Sequence, residues 1–375
     1  MRIGLLCQSC DNRTGIGRIV NSLASEFSSL GHQVSCAAQF FDGTDERITR
    51  VQVPHLSSSK GLNKLLFRFN GMPFDRSKVD IVHTFGVGRG AHVVSAQSCH
   101  RAGMKLLSPL RSQLLERGNV GLYDRISLAD ERSLLTSPRT RRIIAVSRLV
   151  KSQVEEEYHV DPQLISVVPN GVNYKLLQEL PDNKKRMEVR SRLGLSQSDF
   201  VLLFVGNEFG RKGLGVLLNA MKALRDKSLR LLVIGGGDQN AYARRASELG
   251  IADRVSFLGS VSNPETMYIA ADAFVLPALY EPFGIVILEA MGAGVPVITS
   301  KSCGATEGMQ HRRHVLHLDD LTSPEKLAEA IRMLRRDEVL RRTLIAAGVE
   351  KAKEFSWDRI ARMMLAVYDE ARRSS

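Results

Sequence analysis

Four charged residues in the second half of this 375-residue chain could do chemistry together. Arg211 and Lys212 lie in VGNEFGRKG, between the apolar run VLLFVG and the helical pattern LGVLLNAMKAL. A buried strand would deliver both cations to its carboxyl end, beside a helix start. Two cations with free N–H donors there suit a diphosphate; the alternative is an ordinary exposed basic turn. Glu281 and Glu289 bracket the uncharged run PFGIVIL. FGIVILEAMGAG predicts a short buried helix with Pro282 at its start, where a missing N–H costs little. Glu281 then stands at the helix mouth, near the N–H groups of Phe283, Gly284 and Ile285. Glu289 falls near the helix centre, where a carboxylate is costly unless hydrogen-bonded. Sugar or ribose hydroxyls would satisfy it. A helical rise over eight residues separates the two carboxyl positions by roughly 12 Å. Glycoside hydrolase pairs stand ~5–9.5 Å apart, so the spacing favours two hydroxyl-binding carboxylates on one long ligand over an acid/base pair. A helix cap plus a buried structural glutamate is the other reading.

Two further corners are glycine-rich. TGIGR, Thr14 to Arg18, follows the apolar run RIGLLC and opens a helix. Gly15 and Gly17 permit a tight turn, close approach of a ligand, and an anion at the helix N-terminus. The dinucleotide pattern GxGxxG is not met, because Val20 stands at the third glycine position. In VIGGGDQNAYA, Gly235, Gly236 and Gly237 are adjacent rather than spaced and read as a tight turn near the ligand.

These corners need strands to carry them. RIGLLC, HQVSCAAQ, ITRVQVP, VDIVHTF, HVVSAQS and RRIIAVS read as buried strands in the first half, and VLLFVG, LRLLVIGG, VSFLG, AFVLPA and VPVITS in the second. Helical patterns alternate with them, so parallel α/β sheets are expected. The pattern pauses at VVPNGVNYKLLQELPDN, residues 167–183, which reads as a linker. Two doubly wound, Rossmann-like domains follow, 1–172 and 173–355, with a ligand in the cleft between them. The amphipathic stretch FSWDRIARMMLAVYDEARR closes the chain.

Composition sets bounds. The chain is 43% apolar and 25% charged, as in globular proteins. No apolar run approaches the ~20 residues of a membrane span, and no leader pattern opens the sequence, so a cytosolic setting is expected. Cys7, Cys10, Cys36, Cys99 and Cys303 are too few for a disulfide framework. The CxxC of Cys7 and Cys10 could be a redox pair or half a zinc site, but nothing completes a metal set; buried thiols at a strand end are the simpler reading. Net charge is +12, and residues 101–151 hold 11 basic against 4 acidic residues. That excess would meet an anionic membrane or substrate, or simply be a solvated helix face. Nucleic acid is disfavoured because no nucleic-acid-binding motif accompanies it.

The chain resembles the GT-B glycosyltransferases of family GT4, and in particular bacterial lipopolysaccharide-core glucosyltransferases. Glu281 and Glu289, with Pro282, Phe283 and Gly284, resemble the family's paired-glutamate motif. Gly206, Arg211, Lys212 and Gly213 are similar to its strand-end Arg/Lys signature. TGIGR resembles its N-terminal glycine loop, with Thr14 where many members carry a first glycine, and CGATE, Cys303 to Glu307, resembles a downstream Gly-x-x-Glu element. The likeness covers nearly the whole chain and is most specific from about 200 to 310.

The resemblance implies two Rossmann-like domains facing across a cleft, with the helix at 356–375 packed back on the first. It implies sugar transfer from a nucleotide sugar, UDP-glucose in the lead, with retention and without a metal. Arg211 and Lys212 would stabilise the leaving diphosphate. Glu281 and the N–H groups of Phe283, Gly284 and Ile285 would hold donor sugar and phosphate, and Glu289 the ribose. Gly15 and Gly17 would close over the phosphate, Val261 would meet the base through its backbone, and His100 falls near a position that touches the sugar. The acceptor would be a glycan or lipid-linked glycan. The basic 101–151 segment would then draw the enzyme to the inner face of an anionic membrane. Rival readings are a nicotinamide oxidoreductase, a non-catalytic sugar-nucleotide or RNA binder on the same scaffold, and a pyridoxal-dependent phosphorylase. The first leaves Arg211 and Lys212 unexplained, and the last finds no lysine context that demands it.

Overall fold

The computed structural model describes the chain except residues 13, 57–59, 70–71, 111–120, 181, 262–263 and 375, with backbone alone at 60, 61, 110 and 122. Residues 111–120 of the basic segment therefore lie outside the described residues. The chain divides into two units. One holds Met1–Lys105, Gly118–Gly171 and Trp357–Ser375; the other holds Leu106–Arg117 and Val172–Ser356.

In the first unit, apart from a short parallel pair of Ser9–Cys10 and Phe40–Phe41, the strands are β1 (Arg2–Leu6), β2 (Gln33–Ala38), β3 (Thr49–Gln52), β4 (Ile81–Thr84), β5 (Val93–Ala96), β6 (Arg142–Ala145) and β7 (Ile165–Val167). They form one parallel sheet in the order β3-β2-β1-β4-β5-β6-β7. The order reverses beside β1, which places a crevice at the carboxyl ends of β1 and β4. Apolar runs become central strands because helices cover both faces. Edge strand β3 is mostly exposed, against the expectation of a buried strand, since it has a neighbour on one side only.

The closing helix, Trp357–Arg373, belongs to this unit, as the resemblance implies. It packs on the helix Gly15–Ser29. Its buried Tyr368 hydroxyl lies 2.7 Å from His83 Nδ1, and His83 Nε2 lies 2.8 Å from Ser95 Oγ. Gly171 lies so near Trp357 that a Cβ would come within 2.5 Å of the indole.

The second unit repeats the design. Strands β8 (Phe200–Val205), β9 (Leu229–Ile234), β10 (Val255–Gly259), β11 (Ala273–Leu276), β12 (Val297–Ser300) and β13 (Leu316–Leu318) pair in parallel in the order β10-β9-β8-β11-β12-β13. Apart from Phe200 and Arg230, β8, β9, β11 and β12 are fully buried. Edge strand β10 is only half-buried, which corrects its reading as a buried run. Strands β7 and β13 went unread because three residues carry too little pattern. No described helix is long and apolar enough to cross a membrane.

Candidate active site

The second unit positions its cations through backbone constraints. Strand β8 ends at Val205 and is followed by Gly206, whose N–H donates to the Ile234 carbonyl (2.9 Å). The following turn is anchored by Phe209, fully buried and edge-on to Phe204 and Tyr242. Lys212 N–H donates to the Glu208 carbonyl at 3.0 Å, and Gly213 then starts the helix Leu214–Leu224 with φ +80°. A Cβ on Gly213 would sit 2.1 Å from the Pro277 carbonyl oxygen, so this position excludes any side chain. A Cβ on Gly206 would come within 2.2 Å of Lys212 Cδ: the lysine lies across the bare glycine. Gly235 is required for a related reason, since its Cβ would lie 1.8 Å from the Gly206 carbonyl oxygen. The triple glycine thus lets two strand ends touch.

Arg211 and Lys212 converge on Glu281. Lys212 Nζ is 2.8 Å and Arg211 Nη1 3.4 Å from Glu281 Oε2. Arg211 also donates to the Tyr280 carbonyl and pairs with Glu208. Glu281 is 7% exposed. Burial works to raise its pKa, but the Lys212 and Arg211 charges outweigh it and hold the carboxyl below its ordinary value. For Arg211, burial works to lower the pKa, and Glu281 and Glu208 reverse that effect and raise it. Glu281, which the sequence reading gives to the donor, is the counter-ion of both cations.

The corner after β11 is closed by the CGATE segment. Glu281 bridges Cys303, Gly304 N–H donates to the Glu281 carbonyl (3.1 Å), and Ala305 N–H to the Phe283 carbonyl (2.7 Å). Cys303 is buried against Thr299 and Ser300, and burial pushes its thiol up to about 11. The predicted helix spans Ile285–Gly292, shorter than FGIVILEAMGAG, with Gly284 as N-cap at φ +93°. Pro282 is therefore two residues before the cap rather than at the helix start. The eight-residue helical rise between the glutamates does not apply, because Glu281 precedes the helix. Ile287 N–H donates to the carbonyl of the cap residue Gly284 (3.0 Å), and the Ile285 N–H at the helix start has no i−4 partner within the helix. Glu289 sits mid-helix, 3% exposed, and accepts a hydrogen bond from Tyr268 Oη at 2.9 Å. A tyrosine of the same chain thus occupies one acceptor position of the carboxylate that the sequence reading gives to sugar or ribose hydroxyls. Val261 is half-buried just beyond β10 and the left-handed Gly259, with 262–263 outside the described residues.

The remaining candidates lie in the first unit. Thr14 caps the helix Gly15–Ser29, its hydroxyl accepting from Gly17 N–H at 3.0 Å. Asp11 Oδ1 accepts from Thr14 N–H (2.7 Å) and its hydroxyl (3.0 Å). A Cβ on Gly17 would meet Asp11 and Thr14 at 2.5 Å, whereas one on Gly15 meets nothing within 4 Å. At this helix end the Thr14 hydroxyl takes the Gly17 N–H, and Asp11 holds Thr14 in place. His100 opens the helix His100–Leu107; its N–H donates to Glu131 Oε1 (2.6 Å), and its Nε2 lies 3.2 Å from Asp124 Oδ1. Both acids went unread because they sit on a distant helix, Leu122–Leu135, with no local motif. Cys7 and Cys10 are fully buried, and among the described residues no group of three His, Cys, Asp or Glu could hold a metal ion. Asp319 and Asp320 are engaged by Lys301 and Thr322 on the surface.

Residues 13–176 match the family model Glycosyltransferase Family 4, and residues 185–351 match Glycosyl transferases group 1. The lipopolysaccharide glucosyltransferase WaaG of Escherichia coli K12 is 25% identical over 90% of this chain and 88% of its own length. A D-inositol 3-phosphate glycosyltransferase of Corynebacterium glutamicum strain R is 32% identical over 61% of this chain, spanning only 57% of that relative. The crystal structure of WaaG superposes with a TM-score of 0.81 at 22% identity, over 96% of this chain and 98% of WaaG. That of Anabaena HepE with UDP and glucose gives 0.72 at 17% identity, over 98% of each chain. With its two halves matched by glycosyltransferase family models, the chain belongs to the family 4 glycosyltransferases of GT-B fold.

Proposed function

We propose that the enzyme transfers glucose from UDP-glucose to a glycan or lipid-linked acceptor, with retention at the anomeric carbon. One observation carries the reading: Arg211 and Lys212, locked by buried Glu281 at a strand end beside a helix N-terminus. As the glycosidic bond breaks, negative charge grows on the diphosphate. Two pre-fixed cations and helix-end N–H groups stabilise that charge without reorganising, which is worth roughly 3–4 kcal/mol per such donor in comparable sites. Glu281 keeps them in place, and Glu289, oriented by Tyr268, accepts from the ribose. The acceptor attacks on the face the diphosphate leaves, and the departing phosphate takes its proton. The reading assigns the charge compensation to side chains and no metal ion. Support for the sugar and base comes from WaaG, named as a glucosyltransferase, and HepE, captured with UDP and glucose.

A thermal-shift panel of UDP-, GDP- and ADP-sugars tests the donor. UDP-glucose raises Tm in the wild type and not in Lys212→Ala, and Glu289→Ala weakens the shift. Stabilisation by none of them removes the reading. NMR of the product's anomeric proton tests retention.

The same reading places the enzyme at the inner face of an anionic membrane. Its support is the helix Lys60–Phe69, where Phe69 is 80% and Leu62 49% exposed, beside Arg68 and the basic 101–151 segment. Vesicle co-sedimentation at low salt should show a preference for anionic over neutral lipid; equal binding rejects it.

A further inference from the structure

The first unit contains a cavity of about 850 Å³, the size of a small-molecule site. Folding gathers its lining from distant stretches of the chain, Asp11, Asp42, Phe85, Ser95 and Glu131 among them. Behind Ser95, on β5, runs a buried chain of polar side chains. Ser95 Oγ lies 2.8 Å from Nε2 of His83 on β4, and His83 Nδ1 lies 2.7 Å from the hydroxyl of Tyr368 on the closing helix. His83 and Tyr368 are fully buried, and Ser95 is 4% exposed. The imidazole is held between two rings, Phe85 at 4.3 Å and Tyr368 at 5.5 Å between centroids.

Two proton arrangements keep both hydrogen bonds. Burial pushes the His83 pKa down to about 3, so near neutral pH the ring has one N–H and one bare nitrogen. With the proton on Nε2, the ring donates to Ser95 Oγ and Tyr368 donates to Nδ1. The Ser95 hydroxyl then keeps its own proton for another acceptor. With the proton on Nδ1, Ser95 donates to Nε2 and the ring donates to Tyr368. The Tyr368 proton then has no destination: among the described residues its hydroxyl meets only His83, and the core around it is closed to water. A buried hydroxyl donor left unpaired is costly, whereas the Ser95 proton has a cavity beside it. The first arrangement therefore holds.

We infer that Ser95 donates a hydrogen bond to an oxygen of the sugar substrate that enters this cavity, and that His83 and Tyr368 are positioning residues that hold its hydroxyl as the donor. The inference rests on the glycosyl-transfer reading. It gives the closing helix a part in substrate selection, since an analogue lacking that oxygen leaves the donor unpaired.

Nitrogen-15 NMR of the histidine side chains in the full chain reads the proton directly, with His83 assigned by the signals lost in His83→Gln. The Nε2–H form is expected near neutral pH; the Nδ1–H form overturns the inference. The contact is read by UDP release from UDP-glucose, with methyl glucoside, methyl galactoside and methyl mannoside as acceptors. Ser95→Ala should raise KM for at least one of these sugars by about tenfold, the size of a lost hydrogen bond, and change kcat less. Ser95→Thr, which keeps a hydroxyl, should restore it. Tyr368→Phe should raise the same KM by about threefold on its own and leave it unchanged when Ser95→Ala is already present. Its cost in thermal stability should persist in both backgrounds, a split that a merely structural tyrosine would not give. Unchanged KM in Ser95→Ala, or additive effects of the two substitutions, overturns the inference, as does a wild type inert toward every glycoside. The donor reading is scored separately, by the UDP-glucose thermal shift and its loss in Lys212→Ala. If UDP-glucose stabilises the chain while Ser95→Ala leaves every KM as it was, only the inference about Ser95 falls.

Discussion

At the end of Arg2–Leu6 and again at the end of Phe200–Val205, the chain leaves the first strand of a doubly wound sheet and enters a helix through glycines. Both corners sit where such sheets bind ligands. Their chemistry is opposite. At the first, Thr14 caps the helix by taking the Gly17 N–H, and the Asp11 carboxylate that holds Thr14 puts a negative charge beside it. The second is filled by Arg211 and Lys212, tied down by one carboxylate from another loop. Topology supplies the place; the charge on a few side chains decides whether a phosphate is welcome there.

The largest effect falls on the cationic corner. Lys212→Met should lower kcat by about 10²–10³, the usual loss of a pre-fixed group that stabilises developing charge. It also strips buried Glu281 of its nearer partner, which costs about 3 kcal/mol of stability. Adding Glu281→Gln should return most of that stability and none of the activity. Denaturant titration and a transfer assay separate the two losses. Wild-type kcat in Lys212→Met would end the comparison between the corners.

Acid should break the units in sequence. Burial pushes His83 of the first unit down to about 3 from 6.5. The unfolded chain then takes up a proton that the folded unit refuses. The associated stability is complete above pH 6.5 and drains as pH falls toward 3, at about 1.4 kcal/mol per pH unit. Glu281 of the second unit has a depressed pKa, so its contribution is present above about 4.5 and is lost only as pH falls through the folded value. The first unit, which holds the lone Trp357, should therefore soften first on acidification, read by tryptophan fluorescence in urea. His83→Gln should flatten the dependence between pH 6.5 and 4.5, and Glu281→Gln the part below it.

How much of this was legible depends on whether the signal is local. The strand-end placement of Arg211 and Lys212 could be read because an apolar run, a glycine and a helical pattern lie within a few residues. The buried position of Glu289 was legible for the same reason. Its partner Tyr268 was not, since it comes from a separate short helix, Glu265–Tyr268. Nor was the pairing of Glu281 with the two cations, which needs residues seventy positions apart to share a corner. The helix start was misplaced because Pro282 is a common first residue, yet Gly284 at φ +93° is the cap. Edge strands β3 and β10 were read as buried because composition does not say how many neighbours a strand has. Asp11, Asp42 and Glu131 carried no motif at all; only folding collects them. Removing the unread Tyr268 hydroxyl measures that contribution. Tyr268→Phe should cost about 1.5–3 kcal/mol, the value of a buried hydrogen bond to a charged group, and raise the donor KM more than it lowers kcat. An unchanged denaturation midpoint would show that Glu289 does not need the tyrosine.

The smallest effects separate two glycines of one motif. Gly17→Ala forces a Cβ to 2.5 Å from both Asp11 and Thr14. The cap must yield, at about 1 kcal/mol. Gly15→Ala meets no atom within 4 Å and occupies the first residue of a helix. Stability should stay within about 0.5 kcal/mol of wild type. Gly15 nevertheless lines the cavity, so an added methyl takes space from whatever lies there. If a sugar ring approaches its backbone, Gly15→Ala should weaken binding of that ring while thermal denaturation stays unchanged. The reverse pattern, lost stability with intact binding, would mean that Gly15 serves the helix start alone. TGIGR would then be a structural turn, unlike FGRKG, whose cations are placed to receive a ligand.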